Sequence, residues 1–353
     1  MTTPPSTIKI GIIGFGFMGR THARAYQDAQ RDGYPCQLIA IADRNHGQKT
    51  VSQPAGNIGA PEIEIDTTGI AFQNDASAII NHPDIELVSI CTHTETHVEF
   101  AIAALNAGKH VLLEKPIALT PDEVQRLLDV ASKTDRLCIP AMCMRFWPAW
   151  AHIKQAIDAN TFGSVRNASF SRLGSRPQWS TGFYSDQSRS GGVLHDLHIH
   201  DTDFIVHCFG VPAAVTCEGD PLALTTLYHY ENFPSPISAP ISASGAWDRP
   251  PSMGYQMKCT IVFEDATLDF DLSRPDQLIL YQGDQSTPIE IDPRTGYDHQ
   301  IRWALDQIAK QQTGRSTNEP FSTDTPIHDA LVVARVLAAE QQSMEQHQRV
   351  SIG

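Results

Sequence analysis

The sequence has little positive charge: 26 Lys and Arg stand against 40 Asp and Glu, for a formal net charge of −14 at pH 7. No basic run reverses that sign locally. Phosphate backbones and anionic membrane surfaces are therefore repelled, and no nucleic-acid partner is expected. Long apolar runs are also missing, and the N-terminal MTTPPSTIK lacks a charged segment followed by an apolar one. The expectation is a protein with no membrane span and no secretion signal. Cysteine spacings that suit metal or redox chemistry are lacking as well. Cys36, Cys91, Cys138, Cys143, Cys208, Cys217 and Cys259 are scattered without a C-x-x-C pair, several of them inside apolar strand-like runs. They read as buried thiols in a reducing compartment, so a cytoplasmic location is expected. There is no internal repeat, and the only biased tract is the Pro/Ser loop from Phe233 to Pro240.

What is present is an ordinary globular composition, 41% hydrophobic and 19% charged, over 353 residues. That is more chain than one hydrophobic core usually holds, so two domains are expected. The organising stretch runs from Ile8 to Tyr26. An apolar run around Ile8, Ile10, Ile12 and Ile13 enters Gly14-Phe15-Gly16-Phe17-Met18-Gly19 and continues as a helix-forming segment. Strand, glycine turn and helix in that order aim unpaired helix N–H groups at a pyrophosphate. Gly14 permits the turn, Gly16 lets the backbone approach the phosphates, and Gly19 lets the helix pack on the strand. The next strand, Gln37 to Ala42, ends in Asp43, placed to bind the ribose hydroxyls of an adenosine. The charge of Asp43 would repel a 2′-phosphate and favours NAD, while Arg44 beside it partly offsets that repulsion and leaves NADP open.

Arg44 to Thr68 is polar, rich in Pro and Gly and long for a connection. Strand and helix then alternate: Glu86–Thr92, the helix Thr96–Ala107, the strand His110–Leu113, the helix Glu123–Ser132 opened by Thr120 as a cap, and the strand Leu137–Met144. Such alternation means a parallel sheet with crossover helices. Beyond a helix at Ala151–Ala159, β-like segments dominate from Gly163 and alternate apolar with polar, as a one-sided antiparallel sheet does. A helix at Gly192–Phe209 interrupts them, and two helices near the end, His299–Gln312 and Thr325–Gln342, precede a strand-like Arg349–Ile352. The fold class is α/β. Residues 1–147 are expected to form a dinucleotide-binding domain of Rossmann type and residues 148–353 an α+β domain with a large, mostly antiparallel open sheet, its closing segment either staying with it or packing back on the first domain.

Two places carry reactive groups. In Gly191-Gly-Val-Leu-His-Asp-Leu-His-Ile-His-Asp-Thr-Asp203 a single helix would set Asp196, His200 and Asp203 at i, i+4 and i+7, on one face. A carboxylate one turn from an imidazole orients it and raises its pKa toward neutrality, which suits proton transfer. Solvated charges at a helix start are the plain alternative. A metal site of His195, Asp196, His198 and His200 is another, but the spacing fits no common zinc pattern, and no metal is expected. Lys115 stands just past the end of a parallel strand, where open α/β sheets place ligands. Its ammonium either stabilises alkoxide character on a reacting oxygen or is an exposed strand-end lysine.

Three motifs, Gly14-x-Gly16-x-x-Gly19, Ala107-Gly-Lys-His-Val-Leu-Leu-Glu-Lys-Pro116 and Gly191-Gly-x-x-x-Asp-x-x-x-His-Asp-x-Asp203, occur in this order. Together they resemble the glucose-fructose oxidoreductase, inositol dehydrogenase and MocA family over nearly the whole chain. The resemblance includes Arg145-Phe-Trp-Pro148 at the domain junction and implies reversible oxidation of a sugar or cyclitol hydroxyl, with the second domain used for assembly into a dimer or tetramer. By motif position, Lys115, Asp196 and His200 are the implied catalytic set, with His200 as general acid/base. Gly14, Phe15, Gly16, Phe17, Met18, Gly19, Asp43, Arg44, Thr92, His93, Glu114 and Lys115 are the implied cofactor residues, and His97 is either a neighbour of that group or a structural cap. Lys115, Arg145, Asp203 and the loop residue Trp179 are the candidate substrate contacts. The sequence departs from the family's common pattern at His93, where proline is usual, at Met144, where a basic or polar residue is usual, and at His198, where glycine is usual. His198 is therefore expected to add bulk beside the site, for substrate or for metal. Alternative outcomes are an enzyme that cleaves glycosides through transient oxidation by NAD, and a protein that senses NAD(P) without turnover.

Overall fold

The computed structural model describes residues 7–44, 65–178, 181–231, 240–312, 321 and 326–352. The chain divides into two compact units, Met1–Cys143 with Thr295–Leu331, and Met144–Arg294 with Val332–Gly353. The sequence pattern puts the division at 147/148; the first change of unit falls at Cys143/Met144, and Thr295–Leu331 group with the first unit.

The first unit opens with β1 (Ile8–Ile13), α1 (Phe17–Arg31) and β2 (Cys36–Ala42), then β3 (Ala71–Gln73), α2 (Ala76–Ile80), β4 (Leu87–Ile90), α3 (His97–Asn106), β5 (His110–Leu113), α4 (Pro121–Ala131) and β6 (Cys138–Pro140). Its six strands pair in the order β3-β2-β1-β4-β5-β6, all parallel. Every residue of β4 and β5 is buried, as a parallel sheet covered on both faces requires. Thr120 caps α4, its hydroxyl accepting from the Glu123 N–H, and Pro121 takes the first helical position, where no donor is needed. The strand order reverses direction between β1 and β4, and at such a point the carboxyl ends of the strands leave a crevice.

The second unit contains α5 (Pro148–Asp158), β7 (Val165–Leu173), α6 (Thr181–Tyr184), α7 (Gln187–Ser190), a π-helical turn at Leu194–His198, α8 (Ile199–Phe209) and the strands β8 (Ala214–Asp220), β9 (Ala223–His229), β10 (Ile241–Ala246), β11 (Gln256–Phe263), β12 (Thr267–Asp271), β13 (Leu278–Gln282) and β14 (Gln285–Pro288). After these come α9 (Gly296–Gln312), which belongs to the first unit and packs on α1, then α10 (Ile327–Gln346) and β15 (Val350–Ser351). The nine strands run β14-β13-β12-β11-β7-β10-β9-β8-β15, antiparallel except for the β7–β10 pair. One face is apolar and carries helices: Trp150 of α5 lies fully buried, its ring 4.7 Å from Phe204 of α8, 5.8 Å from Phe170 of β7 and 6.0 Å from Phe270 of β12. The alternate residues, among them Ser169, Ser171, Ser242, Ser244, Thr260 and Asp269, form a polar opposite face. Among the described residues no helix is long and apolar enough to cross a membrane.

Candidate active site

The glycine turn is built as its spacing requires. Gly14 has φ +90°, and a Cβ there would lie 2.6 Å from the Cys91 carbonyl oxygen at the end of β4. A Cβ on Gly19 would stand 2.0 Å from the Gly14 carbonyl oxygen, so only glycine lets α1 start this close to the turn. At Gly16, by contrast, a Cβ would meet nothing within 4 Å. The backbone is open there, at the N-cap of a helix with no side-chain cap and no acidic residue in its first turn. An uncapped helix start with an open glycine suits a pyrophosphate, so the residues fit the dinucleotide that the motif implies. Phe15 is buried and packs edge-on against Phe72 at 5.8 Å, and the Arg20 guanidinium lies 4.9 Å from its ring centre.

Asp43 ends β2 and accepts a hydrogen bond from the Phe15 N–H at 2.7 Å. One carboxylate oxygen thus ties the second strand to the glycine turn. Arg44 is exposed beside it. Thr92 and His93 follow β4: the Thr92 hydroxyl accepts from Thr96 Oγ1 at 2.7 Å, and the His93 carbonyl accepts from the same hydroxyl at 2.9 Å. Glu114 and Lys115 follow β5, with a cis peptide bond between Lys115 and Pro116. The glycine turn, Asp43, Thr92, His93 and Lys115 therefore stand at the carboxyl ends of adjacent strands. Lys115 is half-buried, whereas Glu114 is 4% exposed and faces inward, its Oε1 3.0 Å from His22 Nε2. His97 sits under this edge, Nδ1 2.8 Å from the Pro116 carbonyl and Nε2 3.0 Å from the Thr92 carbonyl. It is a brace between two strand ends, and its burial holds its imidazole below the usual range against the pull of those two carbonyls.

In the second unit the segment from Gly191 is not one α-helix. Leu194–His198 form a π-turn before α8 begins at Ile199. The wider turn rotates the residues after it relative to those before it. From Leu194 to Asp203, Asp196 and His200 are the two residues that are not fully buried. The expected catalytic pair is thus the accessible pair of this segment. Asp203, expected beside them, is not accessible with them. It is 1% exposed and held by Arg145, whose Nη2 lies 2.6 Å from Oδ1 and whose Nε contacts both oxygens at 3.2 and 3.1 Å. Arg145 is equally buried, so these two side chains, expected to contact substrate, are instead an internal ion pair.

His198 also differs from its expectation. It is fully buried, Nε2 lies 3.2 Å from the Tyr228 hydroxyl and 3.5 Å from Glu340 Oε2, and its Cβ covers Gly245 of β10. Thr202 joins the same network, its hydroxyl 2.9 Å from Tyr228 and 3.2 Å from Glu340 Oε1. The histidine therefore points at the sheet. Its unusual identity is matched by Tyr228 and Glu340. His195 lies 5% exposed with Nδ1 3.2 Å from the Gly191 carbonyl. Among the described residues no group of three or more His, Cys, Asp or Glu is arranged to hold a metal ion. Trp179 lies outside the described residues.

Sequence reasoning missed the buried pair Arg172–Asp201, Nη2 to Oδ1 2.8 Å, with the Arg172 guanidinium also 3.1 Å from the Tyr255 hydroxyl. It also missed His22, Tyr26 and Ser89. The available signal was a histidine and a tyrosine, four apart, on the stripe of α1 that the strand–turn–helix unit must bury. All seven cysteines are thiols outside any disulfide.

Residues 8–142 match the oxidoreductase family with an NAD-binding Rossmann fold, and residues 150–246 match the GFO/IDH/MocA C-terminal domain. The chain belongs to the Gfo/Idh/MocA family. Within it, the chain is 29% identical over 216 residues to levoglucosan dehydrogenase of Pseudarthrobacter phenanthrenivorans, covering 59% of this chain and 53% of that one. It is 31% identical over 212 residues to inositol 2-dehydrogenase of Rhizobium meliloti, covering 60% and 58%. The chain thus spans about half the length of the curated relatives it matches. The fold superposes on levoglucosan dehydrogenase in complex with NADH and levoglucosan with a TM-score of 0.79 at 22% identity, over 98% of this chain and 99% of that one. On an oxidoreductase domain protein from Kribbella flavida it gives 0.76 at 22% identity, over 99% and 100%. As a Gfo/Idh/MocA protein it carries an NAD-binding Rossmann domain and a C-terminal domain with a large, mostly antiparallel sheet.

Proposed function

We propose that this Gfo/Idh/MocA protein is an NAD-dependent dehydrogenase, with NADP as a second possible cofactor, that oxidises a secondary hydroxyl of a small polyhydroxylated substrate, a sugar or cyclitol. The observation that carries the reading is the placement of Lys115 at the carboxyl end of β5, on the same sheet edge as the open glycine turn. The open glycine turn at Gly16 and the neighbouring Asp43 would hold the dinucleotide, whose nicotinamide would supply a hydride acceptor at C4. Lys115 donates to the reacting oxygen and stabilises the negative charge that develops on it. His200 takes the hydroxyl proton; with the cofactor bound, the carbinol hydride would pass to it, so that a ketone, a reduced cofactor and a protonated imidazole would balance the step. Asp196, four residues before His200 and accessible with it, orients the imidazole. The names of two relatives, levoglucosan dehydrogenase and inositol 2-dehydrogenase, support a polyol as the substrate class.

The test is the absorbance of NADH after mixing the purified protein and NAD with levoglucosan, myo-inositol, scyllo-inositol, hexoses and sugar acids. A gain with at least one compound, abolished in K115M and H200N, is expected; no gain across the panel overturns the reading. Assembly into a dimer or tetramer is proposed on the breadth of the second unit's sheet, and sedimentation equilibrium giving a 38.8 kDa species would reject it.

A further inference from the structure

Lys115 is flanked on both sides by residues that buried histidines hold. On the N-terminal side, Glu114 Oε2 accepts from the Lys115 N–H at 3.2 Å while Oε1 lies 3.0 Å from His22 Nε2. The far side of the His22 ring continues the chain: Nδ1 is 3.0 Å from Ser89 Oγ, and Ser89 Oγ is 2.9 Å from the Tyr26 hydroxyl. On the C-terminal side, His97 Nδ1 stands 2.8 Å from the Pro116 carbonyl. His22, Glu114, Ser89 and Tyr26 are all at most 4% exposed.

The chemistry of the groups fixes the direction of the chain. Beside the Glu114 carboxylate, which only accepts, a neutral His22 carries its proton on Nε2 and leaves Nδ1 as an acceptor. Ser89 then donates to Nδ1, and its oxygen receives the proton of Tyr26, which burial keeps firmly in the phenol form. The Cys91 thiol, its Sγ 3.5 Å from the same Nδ1, is a weaker second neighbour of that nitrogen. Four polar side chains, two on α1, one on β4 and one just past β5, are thus buried against strands rich in Ile, Leu and Val, where apolar residues of similar volume would be at least as stable. What the chain secures is the backbone of Lys115, through the hydrogen bond from its N–H to Glu114.

We propose that His22 is a positioning residue: through Glu114 it fixes the Lys115 backbone, and so the place of the Lys115 ammonium, while His97 holds the following carbonyl. The proposal rests on the dehydrogenase reading, in which that ammonium meets the reacting oxygen. A lysine displaced by even about 1 Å loses much of its effect on the transition state, on the order of 100-fold in rate.

Two near-isosteric variants separate positioning from packing. In H22Q the amide nitrogen falls where Nε2 stood and still donates to Glu114. In H22N the amide falls where Nδ1 stood, which keeps the Ser89 contact and loses Glu114. The full-length protein, with its lysines carrying 13C-methyl groups from reductive methylation, gives a Lys115 signal identified by its loss in K115R. That signal should shift or broaden in H22N and stay in place in H22Q, with the NAD dissociation constant unchanged within about twofold in both. With whichever of myo-inositol or levoglucosan is turned over, kcat should fall roughly tenfold or more in H22N only. An unmoved Lys115 signal in H22N, or equal movement in both variants, overturns the proposal. Should H22N fail to fold, S89A removes one hydroxyl further along the chain, and E114Q replaces one of the two accepting oxygens by a donating amide, so that the contacts to His22 and to the Lys115 N–H cannot both be kept; a Lys115 signal unmoved in both overturns it equally. K115M with undiminished turnover would sink the dehydrogenase reading itself, whereas an inactive K115M beside an unaltered H22N would sink the positioning role alone.

Discussion

Arg145 and Asp203, 58 residues apart in sequence, are joined by three hydrogen bonds in a pair that is 1% exposed on each side. Two charges this far from water depend on each other. Removing one leaves the other buried without compensation, which costs about 3–5 kcal/mol. D203N is expected to lower the unfolding free energy by that amount in urea, and R145K to lower it too, because an ammonium lacks the guanidinium fork that spans both oxygens. Unfolding midpoints unchanged in both variants would mean that the pair is not structural and would return Arg145 and Asp203 to the substrate.

The glycine turn makes a sharper prediction because its glycines differ in what surrounds them. Gly16 has a negative φ of −76° and open space where a Cβ would go, so G16A should fold with the wild-type urea midpoint. That space is where the pyrophosphate is proposed to lie, and the same variant should weaken NAD binding by roughly tenfold or more, 1.4 kcal/mol, in a fluorescence titration. G19A should lose stability as well as NAD, since its Cβ would strike the Gly14 carbonyl. G16A that binds NAD as tightly as the wild type would place the dinucleotide elsewhere.

Legibility in the sequence depends on the range of each interaction. The β1–turn–α1 unit, β5 at His110–Leu113 and β7 at Val165–Leu173 are visible because their signals are local: an apolar run, a glycine pattern, an alternation. The sequence pattern points to a strand at Pro288–Ile291, but β14 lies at Gln285–Pro288, an exposed edge strand whose residues have no apolar period to fix it. The short β3 and α2 escape notice for the same reason. In the site, the spacing reveals Asp196 and His200 and sets His198 on another face, but Asp203, three residues after His200 in α8, is buried against Arg145. Nothing in the residue types announces it. The partners of Asp203, His198 and Glu114 lie 58, 142 and 92 residues away, and a single sequence carries no trace of those pairings.

Cofactor choice is proposed to turn on Asp43. Its Oδ2 accepts from the Phe15 N–H, and an asparagine oxygen can do the same. D43N therefore removes a charge without opening the turn. With that charge gone, the 2′-phosphate of NADP meets Arg44 and no carboxylate, and the ratio of NAD to NADP affinity should fall by about tenfold. Parallel titrations of both cofactors check this; an unchanged ratio would show that Asp43 serves the Phe15 backbone alone.

Acid should weaken the fold from a pH that one buried histidine sets. His110 opens β5, is 3% exposed, and accepts from the Leu137 N–H at Nδ1. Burial, and then the charge of Arg136, push its imidazole down to about 4. An unfolded histidine titrates near 6.5, so between these values the unfolded chain binds a proton that the folded one refuses. The stability this group contributes is complete above about pH 6.5 and is lost as pH falls toward 4, of order 3 kcal/mol in all. His207 is driven in the same direction, to about 2, by burial and then by Arg145 and Lys154, so the decline continues below pH 4. In H110N the amide oxygen can still accept from Leu137 but nothing titrates. Urea midpoints measured from pH 7.5 to 4 at constant ionic strength should therefore fall less steeply below 6.5 in H110N than in the wild type. Parallel curves would show that His110 is protonated as readily in the folded protein as in the unfolded chain.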